Sequence, residues 1–291
     1  MDSVQQGIAA AEGGAEDPRQ ARLWAVLEGL RGERVLTAFS GGVDSTLVAA
    51  AARRVLGRDA AWAVVGDSAS LPRRELAEAK RIAQELDLRL RVVVPGEQAD
   101  PGYRRNAGDR CYFCKTHLYD TMQRAAGEMG AGVILNGTNV DDLGDHRPGL
   151  RAADEARVVS PLVEAGLGKA DVRALAARLG LPNRDKPAAA CLASRLPYGT
   201  EVTAARLAQV ERAEEALYDL GFRGFRVRHH ETVARLELPW DQMERLREPA
   251  VRERVVAGVK AAGYAYVSVD LEGFRSGSGN VTLTVDGGGA G

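Results

Sequence analysis

Cysteine is scarce: the 291 residues hold three, Cys111, Cys114 and Cys191. An odd, sparse set in a chain of this length is a poor disulfide framework, so the thiols are expected to be reduced or bound to something, in a cytoplasmic setting. Net charge is also nearly missing, since 39 Lys and Arg stand against 40 Asp and Glu, a formal −1. A protein that lives mainly on a phosphate backbone is normally more basic, which counts against nucleic acid as the main partner. No apolar run reaches the roughly 18–20 residues that cross a bilayer. The N-terminal MDSVQQGIAAAEGGAEDPRQ has no basic start followed by an apolar core, so neither a membrane anchor nor a secretory signal is expected. The remainder, 45% hydrophobic and 27% charged, is an ordinary globular composition, enough for one large domain or two modest ones.

The first ~17 residues are rich in Ala, Gly and Glu without apolar periodicity, and predict a disordered lead-in over 1–17. The GGGAG end predicts a tail over 281–291. Between them the pattern alternates. Residues 21–32 read as an amphipathic helix closed by Gly32. A short apolar strand, RVLTAFS, is followed by SGG and a helix from about Asp44 to Leu56. AAWAVVG, LRLRVVV and AGVILNG read as further strands. The intervening PRRELAEAKRIAQELD and KTHLYDTMQRAAGEMG, and KADVRALAARLGL after them, keep helical spacing. This order predicts an α/β fold, a parallel sheet with helices on both faces and ligands at the carboxyl ends of the strands. Near residue 195 the rhythm changes. A helix (about 203–220), the strands FRVRHH and TVARLEL broken around Glu231, a helix (about 248–262) and the strand AYVSVDL predict a smaller α+β domain. The expected domains are therefore 18–194 and 195–280. Trp62 and Trp240 read as core or partly buried.

Ser40-Gly41-Gly42-Val43-Asp44-Ser45 follows the first strand and opens a helix. Glycines let the backbone turn tightly and approach an anion, and the free N–H groups of a helix start point at it. Ser40 and Ser45 add hydroxyl donors. The loop lacks the Lys of G-x-x-x-x-G-K-[ST] and is not G-x-G-x-x-G, so neither an ordinary triphosphatase loop nor a dinucleotide site fits. SGGVDS here resembles the PP-loop of the ATP pyrophosphatases, which cleave ATP between the α and β phosphates, leaving AMP on the substrate. The resemblance implies that Ser40, Gly41, Gly42, Asp44 and Ser45 cradle the pyrophosphate with Mg²⁺ nearby. It also implies that Gly137, Thr138 and Asn139, in NGTNVDD after the fourth strand, line the nucleotide. Ser160-Pro161-Leu162, Lys169 and Leu181-Pro182 are similar to a segment of the GMP synthetase type. On residues alone, Asp141 and Asp142 read as a solvated turn.

Cys111 and Cys114 form C-x-x-C, and Cys191 lies far along the chain. The set is compatible with three thiolates on a [4Fe–4S] cluster with one iron left open. It also suits separate thiols with a reactive Cys191, or zinc completed by His117 or His146, or core residues. ATP activation together with cysteine sulfur suggests one reaction class. A carboxylate oxygen is a poor leaving group until it is adenylated, and a sulfur nucleophile then displaces AMP.

From about residue 20 to 280 the chain resembles the LarE family, ATP-dependent sulfur transferases of nickel-pincer nucleotide synthesis. The carrying segments are FSGGVDS, RCYFCK, NGTNVDD, KPAAACLASRLPYG, GFRGFRVRHH and VSVDLEGFRSGSGN. The resemblance implies a small-molecule substrate, a pyridinium dicarboxylate mononucleotide, whose carboxylates are adenylated and become thiocarboxylates. It places the sulfur donor at Cys191, either consumed to dehydroalanine or joined with Cys111 and Cys114 on a [4Fe–4S] cluster. The three-cysteine set favours the cluster, with a sulfide source or sulfur-donor protein behind it. Arg226 and Arg228 alternate on a strand, and Arg is well matched to phosphate. The resemblance assigns them to the substrate phosphate, with Arg195 lining the same pocket. One carboxylate among Glu211, Glu214 and Glu215 is a candidate metal ligand. A homo-oligomer is expected. The rivals are a tRNA thiouridylase of the same superfamily, which predicts a basic RNA-binding face, and an ammonia-dependent amidating synthetase, which has no use for Cys191.

Overall fold

The computed structural model describes residues 17–144, 148–187 and 189–275. The tail and, apart from Asp17, the lead-in expected from the sequence lie outside these residues. Chain contacts divide the protein into two units, one of Met1–Glu97 and Cys111–Ala189, the other of Gln98–Arg110 and Ala190–Gly291.

The first unit begins with α1 (Pro18–Glu28), whose start is capped by the Asp17 carboxylate with Pro18 in the first turn. This is the arrangement that fixes a helix start, since Pro has no N–H to leave unsatisfied. Then come β1 (Val35–Ala38), α2 (Val43–Leu56), β2 (Ala61–Gly66), α3 (Arg73–Glu85) and β3 (Arg89–Val93). After α4 (Pro101–Arg104), which belongs to the second unit, follow α5 (Arg110–Met129), β4 (Val133–Leu135), α6 (Pro148–Glu155), α7 (Pro161–Glu164) and α8 (Lys169–Arg178). The four strands pair in parallel in the order β3-β2-β1-β4.

Period-two alternation divides the strands between two cores. Val35, Ala63, Val65 and Leu135 pack with Leu23, Leu47, Ile82 and Leu175 from α1, α2, α3 and α8. Leu36, Val64 and Ile134 point the other way, onto Tyr119 and Met122 of α5 and Ala152 and Ala153 of α6. Helices thus cover both faces, as the alternating pattern predicts. Within α3 the buried Leu76, Ala79, Ile82 and Ala83 fall at helical spacing and leave the charged face to solvent.

The second unit is built on α9 (Ala204–Asp219), β5 (Arg226–His230), β6 (Val233–Glu237), α10 (Trp240–Met243), α11 (Pro249–Ala261) and β7 (Tyr266–Val269). β5 and β6 form an antiparallel hairpin, and β7 adds in parallel to β6. Glu231 takes a positive φ of 50° in the turn between β5 and β6, where the sequence breaks the two strands. Ala213 and Leu217 of α9 and Val255 and Val259 of α11 pack onto Val227, Ala234 and Leu236. Trp240 differs from its reading. It opens a four-residue helix after Pro239 at the surface and is 68% exposed.

Residues 98–110, between β3 and α5 in the chain, run along residues 193–202 of this unit. The Arg104 carbonyl accepts from the Val202 N–H at 2.8 Å, and Arg104 pairs with Glu201. Asn106, fully buried with a positive φ of 55°, accepts at its carbonyl from the Gly199 N–H at 3.0 Å. Its Nδ2 donates to the Pro197 carbonyl at 2.8 Å.

Candidate functional site

In the first unit the loop after β1 is shaped by backbone geometry. Gly41 sits at φ 71°, and a Cβ there would stand 3.0 Å from the Ala79 Cβ and 3.1 Å from its Cα. Only glycine combines that conformation with that approach. Gly42 is the N-cap of α2, and no side chain caps the helix, so its first N–H groups have no intrahelical partner and face a site suited to an anion. Ser40 and Ser45 are hydrogen-bonded to each other at 3.1 Å. Gly137 brings a second turn backbone-to-backbone against this helix start, since a Cβ there would lie 2.6 Å from the Ser45 nitrogen.

Asp44 joins the two turns. Its carboxylate accepts from the Asn139 Nδ2 at 3.1 Å and from the Lys169 Nζ at 2.5 Å. Asn136 Oδ1 accepts from the Thr138 N–H at 3.0 Å and the Ser160 hydroxyl at 2.9 Å. Asp141 and Asp142 do more than face solvent. Asp141 accepts from the Lys169 N–H at 2.6 Å and Asp142 from the Asn139 N–H at 3.1 Å. Ser40, Gly41, Gly42, Asp44, Ser45, Gly137, Thr138 and Asn139 are therefore gathered in one place. Two supports were not singled out from the sequence. Lys169 was noted only within a similar segment, and Asn183 not at all. Asn183 donates to the Gly41 carbonyl and to Thr46 Oγ1, each at 2.9 Å. Its only signal was its place after the Leu181-Pro182 segment.

In the second unit Cys191 immediately precedes a single turn of 3₁₀ helix, Leu192–Arg195, without capping it through its side chain. Leu192 and Ala193 are fully buried while Cys191 is half-buried. Arginines hold the backbone of this turn. Arg195 Nη1 donates to the carbonyls of Ala190 at 2.6 Å and Cys191 at 2.9 Å. Arg110 Nη1 donates to the Ala193 carbonyl at 2.9 Å, and Arg228 Nη1 to the Ser194 carbonyl at 2.6 Å. Ser194 Oγ adds a bond to the Cys191 carbonyl at 2.7 Å.

The three arginines expected at the substrate phosphate, Arg195, Arg226 and Arg228, divide into two kinds. Arg195 makes a two-pronged pair with Glu214 at 2.9 and 3.1 Å, and Arg228 makes one with Glu237 at 3.0 and 2.9 Å. Glu214 also accepts from the Val227 N–H at 3.1 Å. Such geometry satisfies buried charges that would otherwise be costly. Arg226 is different. Among the described residues it meets no carboxylate within ion-pair distance; its Nη1 donates to the Phe225 carbonyl and its guanidinium lies 5.0 Å from the Phe274 ring centroid. Burial first, and then the positive Arg195, hold its pKa below the ordinary arginine value.

The carboxylates beside the loop, Asp44, Asp141 and Asp142, are hard oxygen donors of the kind Mg²⁺ accepts. None of the three cysteines is in a disulfide, and thiolates are the ligand chemistry of an iron–sulfur cluster. Cys111 and Cys114 sit three residues apart on α5, on one face. They belong to the first unit and Cys191 to the second. Within neither unit do the described residues gather three His, Cys, Asp or Glu into a set able to hold a metal. No helix among the described residues is long and apolar enough to cross a membrane.

Residues 21–98 match the family model described as NAD synthase. The chain is 44% identical to an uncharacterised protein of Synechocystis over 87% of its own length and 94% of the relative's. To a tRNA-specific 2-thiouridylase of Azorhizobium caulinodans it is 33% identical, over 53% of this chain and 49% of the other. It is 42% identical to the pyridinium-3,5-bisthiocarboxylic acid mononucleotide synthase of Lactiplantibacillus plantarum over 91% of this chain and 95% of that enzyme. A likeness of that strength running nearly end to end in both chains means that this chain belongs to the family of the pyridinium-3,5-bisthiocarboxylic acid mononucleotide synthases, LarE, within the PP-loop superfamily.

Proposed function

We propose that the protein is an ATP-dependent sulfur transferase acting on a pyridinium-3,5-dicarboxylate mononucleotide. The observation that carries this is one chain holding both a phosphate cradle and a thiol on a backbone-clamped turn. In the first step a substrate carboxylate oxygen attacks the α-phosphorus of ATP. The O–P bond forms, the α–β anhydride breaks and pyrophosphate leaves. Ser40, Gly41, Gly42 and Ser45 receive the pyrophosphate charge through N–H and hydroxyl groups, while Gly137, Thr138 and Asn139 line the nucleotide. Asp44 would hold Mg²⁺ together with the phosphates of ATP, and the ion would neutralise phosphate charge. Lys169, released from Asp44, supplies a further cation. In the second step sulfur bonds to the carboxyl carbon, the C–O bond to AMP breaks, and AMP leaves with the oxygen. Where Cys191 itself is the donor, loss of its Cα proton then breaks the Sγ–Cβ bond, releasing the thiocarboxylate and leaving dehydroalanine.

Cys191 is the sulfur-bearing residue of this reading. Cys111, Cys114 and Cys191 are the thiolates that would hold a [4Fe–4S] cluster, which when bound supplies an open iron for sulfide. Arg226 meets the substrate phosphate, with Arg228 and Arg195 behind it. A small-molecule nucleotide substrate, a sulfide source or sulfur-donor protein, and self-association in the cytoplasm complete the proposal.

The test is incubation with ATP and the dicarboxylate mononucleotide, reading pyrophosphate and the thiocarboxylate by mass. Asp44→Ala is expected to lose pyrophosphate release; normal release in that variant removes the loop from the reaction. Cys191→Ala is expected to keep a pyrophosphate burst and make no thiocarboxylate; product from it removes Cys191. Anaerobic reconstitution with iron and sulfide is expected to give about four irons per chain, lost in each Cys→Ala variant. Without stable iron, Cys191 is the consumed donor, and turnover leaves it lighter by one H₂S.

A further inference from the structure

The reaction described above needs the Cys191 sulfur at one place, yet the turn that carries it is short and belongs to no long helix or strand. A single 3₁₀ turn fixes its own backbone poorly. Beside its own bonds from the Ser194 and Leu196 N–H groups, its carbonyls are tied down from outside, and one tie comes from a distant part of the sequence. Arg110 is 6% exposed. Its Nη1 bonds both Asn106 Oδ1 and the Ala193 carbonyl. Asn106 is fully buried, and its side chain and main chain grip Pro197 and Gly199. One continuous line of hydrogen bonds thus runs from residues 197–199 through Asn106 and Arg110 to Ala193, two residues from Cys191.

We infer that Arg110 and Asn106 are positioning residues for sulfur transfer, fixing the Cys191 turn by the Ala193 carbonyl without touching the substrate. Three observations support this. A guanidinium offers donors in a rigid fork, so one group serves both an amide and a carbonyl with defined angles. Asn106 adopts a left-handed conformation that Asn tolerates better than most residues, so its identity is tied to this backbone path. The Ala190, Cys191 and Ser194 carbonyls are taken by Arg195 and Arg228, which carry their own buried carboxylates. Arg110 is the tie that comes from residues 98–110, and it immediately precedes Cys111 in the chain.

The inference rests on Cys191 as the sulfur-bearing residue. The test compares Arg110→Met, Arg110→Lys and Asn106→Gly with the parent and with Cys191→Ala, all as full chains. Asn106→Gly removes the side chain without straining a positive φ. Three readouts are taken: the ATP-dependent pyrophosphate burst with its KM for ATP, thiocarboxylate formation, and the rate at which iodoacetamide alkylates Cys191, resolved by mass spectrometry. Arg110→Met and Asn106→Gly are expected to lower thiocarboxylate formation about 100-fold, the scale set by small misplacements of reacting groups. The burst and its KM are expected to stay unchanged, the Cys191 alkylation rate to shift, and Arg110→Lys to recover part of the loss. Sulfur transfer at the parental rate in both variants overturns the inference, as does a loss that only tracks the folded fraction measured by circular dichroism. If Arg110→Met does not fold, Arg110→Lys and Asn106→Gly decide by the same criteria. Thiocarboxylate from Cys191→Ala instead overturns the sulfur-donor reading on which the inference stands.

Discussion

The ion pairs at the phosphate loop and at the Cys191 turn are built in opposite ways. In the first, the Lys169–Asp44 pair leaves its side chains 38% and 20% exposed. In the second, Arg195 and Glu214 are 4% and 5% exposed, and Arg228 and Glu237 are 10% and 0%. An open pair is held weakly, because water competes for both partners. A closed pair cannot lose one member without leaving the other uncompensated. The first arrangement therefore suits groups that must exchange partners when a polyphosphate arrives, and the second suits groups whose work is to hold backbone. A cluster of arginines beside a candidate site is not one anion clamp by default. Here two are committed to carboxylates and carbonyls, and Arg226 alone of the sequence-derived trio meets no carboxylate among the described residues.

The largest effect that sharpens this contrast is expected from Glu214→Ala. It removes the partner of Arg195 and the acceptor of the Val227 N–H, and a loss of about 3–5 kcal/mol is expected from denaturant unfolding. Asp44→Ala, the matching change in the open pair, is expected to cost about 1 kcal/mol or less by the same measurement. Equal losses would erase the distinction. Next is Gly137→Ala. Its methyl group would press on the Ser45 backbone, which has no rotamer to yield. About 1–3 kcal/mol of destabilisation and a raised KM for ATP are expected, and an unchanged KM would separate this turn from nucleotide binding.

The smallest effect concerns pH. His229 is 2% exposed and its Nδ1 lies 3.0 Å from the Tyr264 hydroxyl. Burial, opposed by Glu231 and assisted by Arg206 and His230, holds its pKa below the ordinary 6.5. The unfolded chain then binds the proton first as pH falls. Stability is lost on going from about pH 6.5 towards the lowered folded value, by at most about 1.4 kcal/mol per pH unit. Denaturant midpoints of the parent should fall over that window, and those of His229→Gln should fall less. An unchanged slope in that variant assigns the titration to another group, of which His230, also lowered by burial, is the nearest.

The phosphate loop was legible in the sequence because its chemistry is local. Six consecutive residues specify a turn, a helix start and the donors. The α/β pattern was legible for the same reason, period two in the strands and helical spacing between them. What escaped was set by contacts distant in sequence. Asn183 supports Gly41 from 142 residues away. Nothing around Arg195 or Arg228 announces that Glu214 and Glu237 will consume their donors, because helix α9 and strand β6 bring those carboxylates in only after folding. Trp240 misled because a large apolar ring usually finds cover, and a surface turn after Pro239 gave it none.

The stretch 98–110 has a consequence for how the protein is made. It leaves the ribosome about 80 residues ahead of Ala190, where the rest of its unit begins. At ordinary elongation rates of ~5–20 residues per second, Asn106 and Arg110 wait on the order of 4–16 s for Pro197, Gly199 and Ala193 to be synthesised. The second unit therefore cannot complete itself during synthesis in the order in which it is encoded. A gene cut at residue 190 would yield a carboxy-terminal fragment lacking its own first thirteen residues, whereas supplying residues 98–110 as a separate peptide would offer that fragment the missing edge.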